Sequence, residues 1–298
     1  MQTLNERKRR LYLARLGVAA AEPPSAGFLA RLQRAHVERI PWETIDVFNG
    51  RPVPIDAASC VGLILGGRSG YCFHLNTAFA ALLVSLGFTV NVHRAGVQAR
   101  GRPPVIDSLH MGLTVACDGE TWLVDAGLGD MPYEPIPLRW GVYPQGPLTY
   151  RLIPSVVAAG GWRLVNDTRA SYVGADFSPT PVPARAEFLD AHRRLSTDPD
   201  SPWVNRLVVK NRDALGSSAM QGLVLTRLAD GVPRSQVVDR RAEWFDALAD
   251  IFGERLLAYG VEGRAALWDK VLRRHEEWMR ESTGSGAGAG RGGPRHVY

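Results

Sequence analysis

The sequence predicts an α+β fold with helices first, antiparallel sheet in the middle and a mixed unit last. Three observations predict it. Apolar residues recur at helical spacing up to residue 88, strict alternation replaces that period from about Thr89, and strand-like and helix-like segments follow one another beyond residue 205.

Taken in order, Phe28, Leu29, Leu32, Ala35 and His36 share one helical face, and Pro41 ends that element. A turn carrying Gly66, Gly67 and Gly70 gives way to an apolar run from Phe73 to Leu86, closed by Gly87, which reads as a helix with Cys72 at its N-terminus. Val90, Val92, Met111, Leu113, Val115, Trp122 and Val124 then alternate with polar neighbours, and Asp118-Gly119 between two of these runs signals a hairpin turn. Residues 131–205 are rich in proline and glycine, with strand candidates at 149–153 and 162–165, so sheet with long excursions is expected. Beyond them, 207–210 and 223–228 read as strands, and 242–252 and 265–280 as amphipathic helices. The glycine-rich end has no periodicity and reads as a disordered tail. The expected units are therefore 1–88, 89–205, 206–281 and a tail over 282–298.

With 45% hydrophobic and 22% charged residues, the composition is that of an ordinary globular protein. No stretch approaches the roughly 18 apolar residues of a membrane span, and the basic segment Met1–Arg10 leads into no apolar signal core. A cytoplasmic protein without membrane association is the expectation. The three cysteines, Cys60, Cys72 and Cys117, are too scattered for a disulfide framework or a zinc site, and no metal is expected. A net charge of +5 carried by dispersed arginines argues against nucleic acid, which needs clustered cations, and suits a smaller anionic partner such as a nucleotide-containing cofactor or an acidic carrier protein.

Three residues carry the chemistry. A cysteine at a helix N-terminus sits at the positive end of the helix dipole, near unpaired backbone N–H groups, and both favour thiolate. His110 falls at the start of one strand and Asp125 at the end of the next, so the Asp118-Gly119 hairpin can bring them together at its open end. An imidazole that takes the proton of a thiol with a free pKa of about 8.5 supplies most of its activation, and an aspartate on the far ring nitrogen fixes the tautomer. Singly, each residue is more often packing than catalysis. Their order and combination point to a nucleophile, a base and an orienting acid. Gly66-Gly67-Arg68-Ser69-Gly70 lacks the Lys-Ser/Thr ending of a phosphate loop. His36, His93, His192 and His275 are read as isolated packing residues, and Trp244, Trp268 and Trp278 as helix packing.

The stretches Arg68-Ser69-Gly70-Tyr71-Cys72-Phe73-His74, His110 and Val124-Asp125-Ala126-Gly127-Leu128-Gly129 together resemble the hallmarks of the arylamine N-acetyltransferase family. Ile40-Pro41-Trp42-Glu43 and Ser201-Pro202-Trp203-Val204-Asn205 are similar to further family segments, so the resemblance runs from about Tyr12 to Leu228. His74, Ser69, Trp42 and Leu128 depart from it, standing where the family has glutamate, glycine and two phenylalanines. The resemblance implies a helical bundle carrying the cysteine, a central antiparallel β-barrel carrying the histidine and aspartate, and a C-terminal α/β lid around a papain-like cysteine core. It implies acyl transfer from acetyl-CoA or another acyl-CoA, through acyl-Cys72, to a small-molecule amine. Coenzyme A is then a cosubstrate, with no cofactor bound permanently. It also places Gly127 and Gly129 beside the pantetheine path and makes Trp42, Leu128 and Trp203 candidates for the acceptor pocket. His74 is expected to make a structural hydrogen bond. Three alternatives stand beside this one: an amide synthase that takes a longer acyl chain from an acyl carrier protein, a papain-type hydrolase, and a non-catalytic binding homologue.

Overall fold

The computed structural model describes residues 3–183 and 185–284. The first unit contains α1 (Glu6–Arg15), α2 (Ala26–Arg39), a two-residue strand β1 (Trp42–Glu43), α3 (Ile45–Phe48), α4 (Ala57–Leu65) and α5 (Cys72–Ser85). Asn5, Ser25 and Asp56 cap α1, α2 and α4 by accepting bonds from Lys8, Phe28 and Ser59 amides, which satisfies donors the helix itself leaves unpaired. The entry to α5 differs: Tyr71 precedes it and offers no side-chain cap. Cys72–Asn76 and Ala78–Leu83 are all buried, so α5 is the central helix of the unit.

Two histidines are locked into this unit in neutral form. His36 pairs with the Tyr12 hydroxyl at 3.0 Å and lies 4.7 Å from the Phe79 ring, and burial pushes its pKa down to about 3. His74 donates from Nε2 to the Val53 carbonyl at 2.8 Å, the structural bond expected of it, and burial takes its pKa down to about 4. The unfolded chain binds these protons near the ordinary imidazole value of 6.5 while the folded chain refuses them. The stability tied to these two groups is therefore undiminished above pH 6.5 and falls below it, by about 1.4 kcal/mol per pH unit for each group, until the folded-state values are reached. Between pH 7 and pH 5 the melting temperature of His36→Gln is expected to respond to acid less unfavourably than that of the wild-type protein, because the substitution removes one of the two groups that weaken the fold as protons are added.

The second unit is an antiparallel sheet of β2 (Thr89–Gln98), β3 (His110–Cys117), β4 (Glu120–Val124), β5 (Ile136–Pro137), β6 (Gly141–Gln145), β7 (Leu148–Pro154), β8 (Trp162–Val165) and β9 (Gly174–Pro181). Its order is β5-β4-β3-β2-β9-β8-β7-β6. The two edge strands are neighbours in sequence, so the sheet curls into a nearly closed barrel. Asp118 (φ 53°) and Gly119 (φ 76°) are both left-handed, as a two-residue hairpin between β3 and β4 requires. Alternation fails on β3, where His110 through Val115 are all buried, because α5 packs against the strand. Thr114 tolerates this by bonding His93 at 2.9 Å.

Residues 189–205 differ from the expected sheet with excursions: they form α6 (Leu189–Thr197) and α7 (Pro202–Asn205). Helix α6 buries only Ala191, Leu195 and Ser196, and Phe188 before it gives no side-chain cap, so neither a broad apolar face nor a start signal marked it.

The third unit contains β10 (Val208–Asp213), β11 (Gly216–Gln221), β12 (Val224–Ala229), β13 (Val232–Val237), α8 (Arg241–Asp250) and α9 (Gly260–Gly284). Its sheet runs β1-β10-β11-β12-β13, so the first unit donates an edge strand, with Trp42 opposite Lys210 and Glu43 opposite Val209. A separate core forms here around Val209, Met220, Trp244, Leu248 and Leu267, and the Trp244 and Trp268 rings meet edge-on at 5.7 Å. Helix α9 takes in residues 282–284, which the sequence placed in the tail, and the rest of that tail lies outside the described residues. Among the described residues no helix is long and apolar enough to cross a membrane, and no cluster of three His, Cys, Asp or Glu is arranged to hold a metal.

Candidate active site

Cys72 is the first residue of α5, His110 the first of β3, and Asp125 follows the last residue of β4. Leu113 pairs with Val124 in the hairpin, so His110 and Asp125 both lie just beyond its paired region at the open end. His110 donates from Nε2 to Asp125 Oδ2 at 2.7 Å, with both side chains buried. That contact places the proton on Nε2 and leaves Nδ1 as the basic nitrogen. Nδ1 makes no hydrogen bond among the described residues, and His110 and Cys72 line the same cavity, of about 260 Å³. The Cys72 thiol points to the carbonyl of Leu109 at 3.7 Å, one residue before the histidine.

The thiol does not have the low pKa that its helix-end position suggested. Burial pushes it well up, the Asp125 charge adds to the rise, and the backbone N–H groups of Cys72 and Phe73 pull it down less strongly. Desolvation thus outweighs the helix end at a position only 3% exposed. Ionisation of Cys72 accordingly depends on a neighbour that takes its proton.

The sequence model of the N-acetyltransferase family matches residues 27–259. This chain belongs to that family. The arylamine N-acetyltransferase of Mycobacterium tuberculosis is 30% identical over 264 residues, spanning 85% of this chain and 91% of the relative. A proansamycin X synthase of Amycolatopsis mediterranei is 34% identical over 149 residues, a match that spans 48% of this chain and 56% of that protein. Among solved structures, the arylamine N-acetyltransferase of Mycobacterium abscessus superposes with a TM-score of 0.78 at 28% identity, over 88% of this chain and 94% of that one. The Mycobacterium marinum enzyme, solved in complex with CoA, superposes with a TM-score of 0.77 at 26% identity, over 87% and 97%.

In this acetyltransferase Asn76, one turn beyond Cys72, is the polar residue that sequence reasoning missed. Its amide donates to Asp125 Oδ1 at 2.9 Å and to the Met111 carbonyl at 2.6 Å, while its oxygen accepts the Ala126 N–H at 2.9 Å. Asp125 also accepts the Gly127 N–H at 2.8 Å, so the fully buried carboxylate is bonded on both oxygens. The one available signal was the i, i+4 spacing of Cys72 and Asn76, which puts both on one face of α5.

Packing against α5 gives Gly127 a reason to be glycine. A Cβ there would lie 2.7 Å from Cys72 Cα and 2.9 Å from Cys72 Cβ, so the missing side chain lets the β4 loop close on the backbone of Cys72. Gly127→Ala is expected to cost on the order of 1–3 kcal/mol through overpacking and to slow acyl transfer by displacing Cys72. Thermal melting together with the transfer rate checks both effects. Gly129 is buried in the same loop.

Of the three candidate pocket residues, Trp203 alone reaches the wall of the cavity, beside Leu109, Leu195 and Val97. Trp42 packs edge-on behind Trp203 at 5.4 Å and belongs to the β1–β10 pairing, and Leu128 is fully buried away from that wall. His192 is not isolated: on α6 it hydrogen-bonds the Tyr71 hydroxyl, stacks on that ring at 5.9 Å and meets His74 edge-on at 5.8 Å. This contact fastens α6, and with it Leu195, over the start of α5. The Arg68-Ser69 loop is likewise committed to internal contacts, Arg68 to Asp46 at 2.8 Å and Ser69 Oγ to Glu254 at 2.7 Å. Burial, with the charges of Glu254 and Asp46, pushes the Glu43 carboxyl beside them up to about 8.

Proposed function

We propose that the chain moves an acyl group from a coenzyme A thioester to an amine through an acyl-Cys72 intermediate, with His110 as general base and Asp125 as its orienting partner. The reading is carried by the 2.7 Å contact of His110 Nε2 with Asp125, which directs the basic nitrogen of a buried ring toward the cavity that Cys72 lines. His110 Nδ1 takes the thiol proton as sulfur attacks the thioester carbonyl. The carbon–sulfur bond to coenzyme A then breaks, and the departing thiolate leaves with that proton. In the second half an amine attacks the acyl carbon, His110 accepts its proton, and Cys72 is released and reprotonated. Exchange between thioesters is nearly balanced and amide formation is downhill, so no nucleoside triphosphate is consumed. The uncapped N–H groups of Cys72 and Phe73 face the sulfur and are the natural donors to the oxyanion, each worth about 2.7–4 kcal/mol in comparable sites.

A second reading draws on the proansamycin X synthase relative: an amide synthase whose longer acyl chain arrives on a carrier protein. Intact mass spectrometry separates the two. Acetyl-CoA is expected to add one acyl group that an amine then removes, whereas labelling only from an acyl carrier protein supports the synthase. Loss of the label to water without an amine marks a hydrolase, and no label from any donor contradicts acyl transfer.

A further inference from the structure

The protein is basic as a whole, yet the mouth of the Cys72 cavity is acidic. Asp107 in the lead-in to β3, and Asp198 and Asp200 in the turn between α6 and α7, line it together with a single cation, Arg194. None of the three carboxylates is in an ion pair among the described residues. Asp107 spends one oxygen on the Leu109 N–H at 3.0 Å and Asp198 one on the Asp200 N–H at 2.9 Å. Cations on the same and adjoining elements are paired elsewhere, Arg193 to Asp190 at 2.9 Å and Arg94 to Glu187 at 3.4 Å. Below this rim the walls are apolar, with Leu109, Leu195 and Trp203, and at the cavity lies His110, 1% exposed, its Nδ1 without a hydrogen-bond partner.

We propose that this cavity selects acceptors that carry a second, positively charged group: amines with an apolar body whose far end is cationic. The inference rests on the acyl-transfer reading and names its substrate class. The reacting amine must reach Cys72 beneath the apolar walls, which leaves the far end of a ring-sized acceptor at the rim. Low-dielectric walls focus the field of the three carboxylates there, so an ammonium is attracted and a carboxylate repelled. An aminobenzoate, with its anion at the rim, is disfavoured by the same field.

Single-turnover discharge of pre-formed acetyl-enzyme tests this without involving the donor step. The acceptors are para-aminobenzylamine, para-toluidine and para-aminobenzoate, which share an arylamine nucleophile and differ in the charge at the far end. Comparing each between protein variants cancels their intrinsic reactivities. Combined Asp107→Asn, Asp198→Asn and Asp200→Asn substitutions keep both turn hydrogen bonds available, since an asparagine oxygen accepts as an aspartate oxygen does. The triple variant is expected to lower the preference for the cationic over the anionic amine by at least about fivefold, with para-toluidine nearly unchanged. Added salt is expected to lower the same preference in the wild-type protein by screening the rim, and this series decides the matter should the triple variant fail to fold. A preference unmoved by both the substitutions and salt, in protein that still acylates Cys72, overturns the proposal. Failure of any donor to acylate the wild-type protein overturns acyl transfer itself and this inference with it, and is distinguished by the missing acyl-enzyme.

Discussion

Cys72→Ala is expected to yield a folded protein that forms no acyl-enzyme and turns over more slowly by a factor on the order of 10⁶, the loss seen when a nucleophile acting within a unit is removed. The fold survives because little depends on the sulfur. The thiol donates only the weak contact to Leu109 O at 3.7 Å, and alanine suits the first turn of α5 as well as cysteine does. Steady-state transfer, intact mass and thermal melting measure the three parts of this prediction. Turnover that persists in the variant assigns the chemistry to another group.

Asp125→Asn is expected to lower kcat by a factor on the order of 10⁴ while the protein remains folded. The Asn76 and Gly127 donors still find an acceptor in the amide oxygen at Oδ1, so the β4 loop keeps its anchor. The new NH₂ faces His110 Nε2 where Oδ2 stood at 2.7 Å, and two donors cannot bond each other. The ring then moves its proton to Nδ1, the nitrogen that has to accept one from the thiol. Burial, the larger cause of the raised Cys72 thiol pKa, persists in the variant although the Asp125 charge is gone, so little thiolate forms without that base. Acyl-enzyme formation from acetyl-CoA is expected to slow in step with turnover, which rapid-quench mass spectrometry measures; a slowed second half alone would place the role of Asp125 elsewhere.

That Cys72, His110 and Asp125 come together was legible because chain punctuation marks each of them. Cys72 follows a glycine turn, His110 opens a strand, and Asp125 closes the partner strand across an Asp-Gly hairpin. What escaped the sequence depended on distant parts of the chain. The pairing of Trp42 with Lys210 in β1 and β10 joins the first and third units, and no local pattern signals it. That pairing buries Trp42 behind Trp203, where sequence reasoning had put both at the acceptor pocket. Helix α6 is amphipathic but short and mostly polar, with no side-chain cap at Phe188 to mark its start, and contacts such as His192 with Tyr71 fix it in place. The thiol's raised pKa was missed for a related reason: the helix end is a local feature, whereas the burial that overrides it comes from α6, α7 and β3 closing over the site.

Peptide mapping after brief exposure to acetyl-CoA without an amine tests the central claim most directly. The account predicts acetyl on the peptide that carries Cys72, none on those with Cys60 or Cys117, and a His110→Ala protein in which the Cys72 label accumulates far more slowly. Acetyl found only on another residue, or a Cys72 label whose rate of appearance ignores His110, contradicts it.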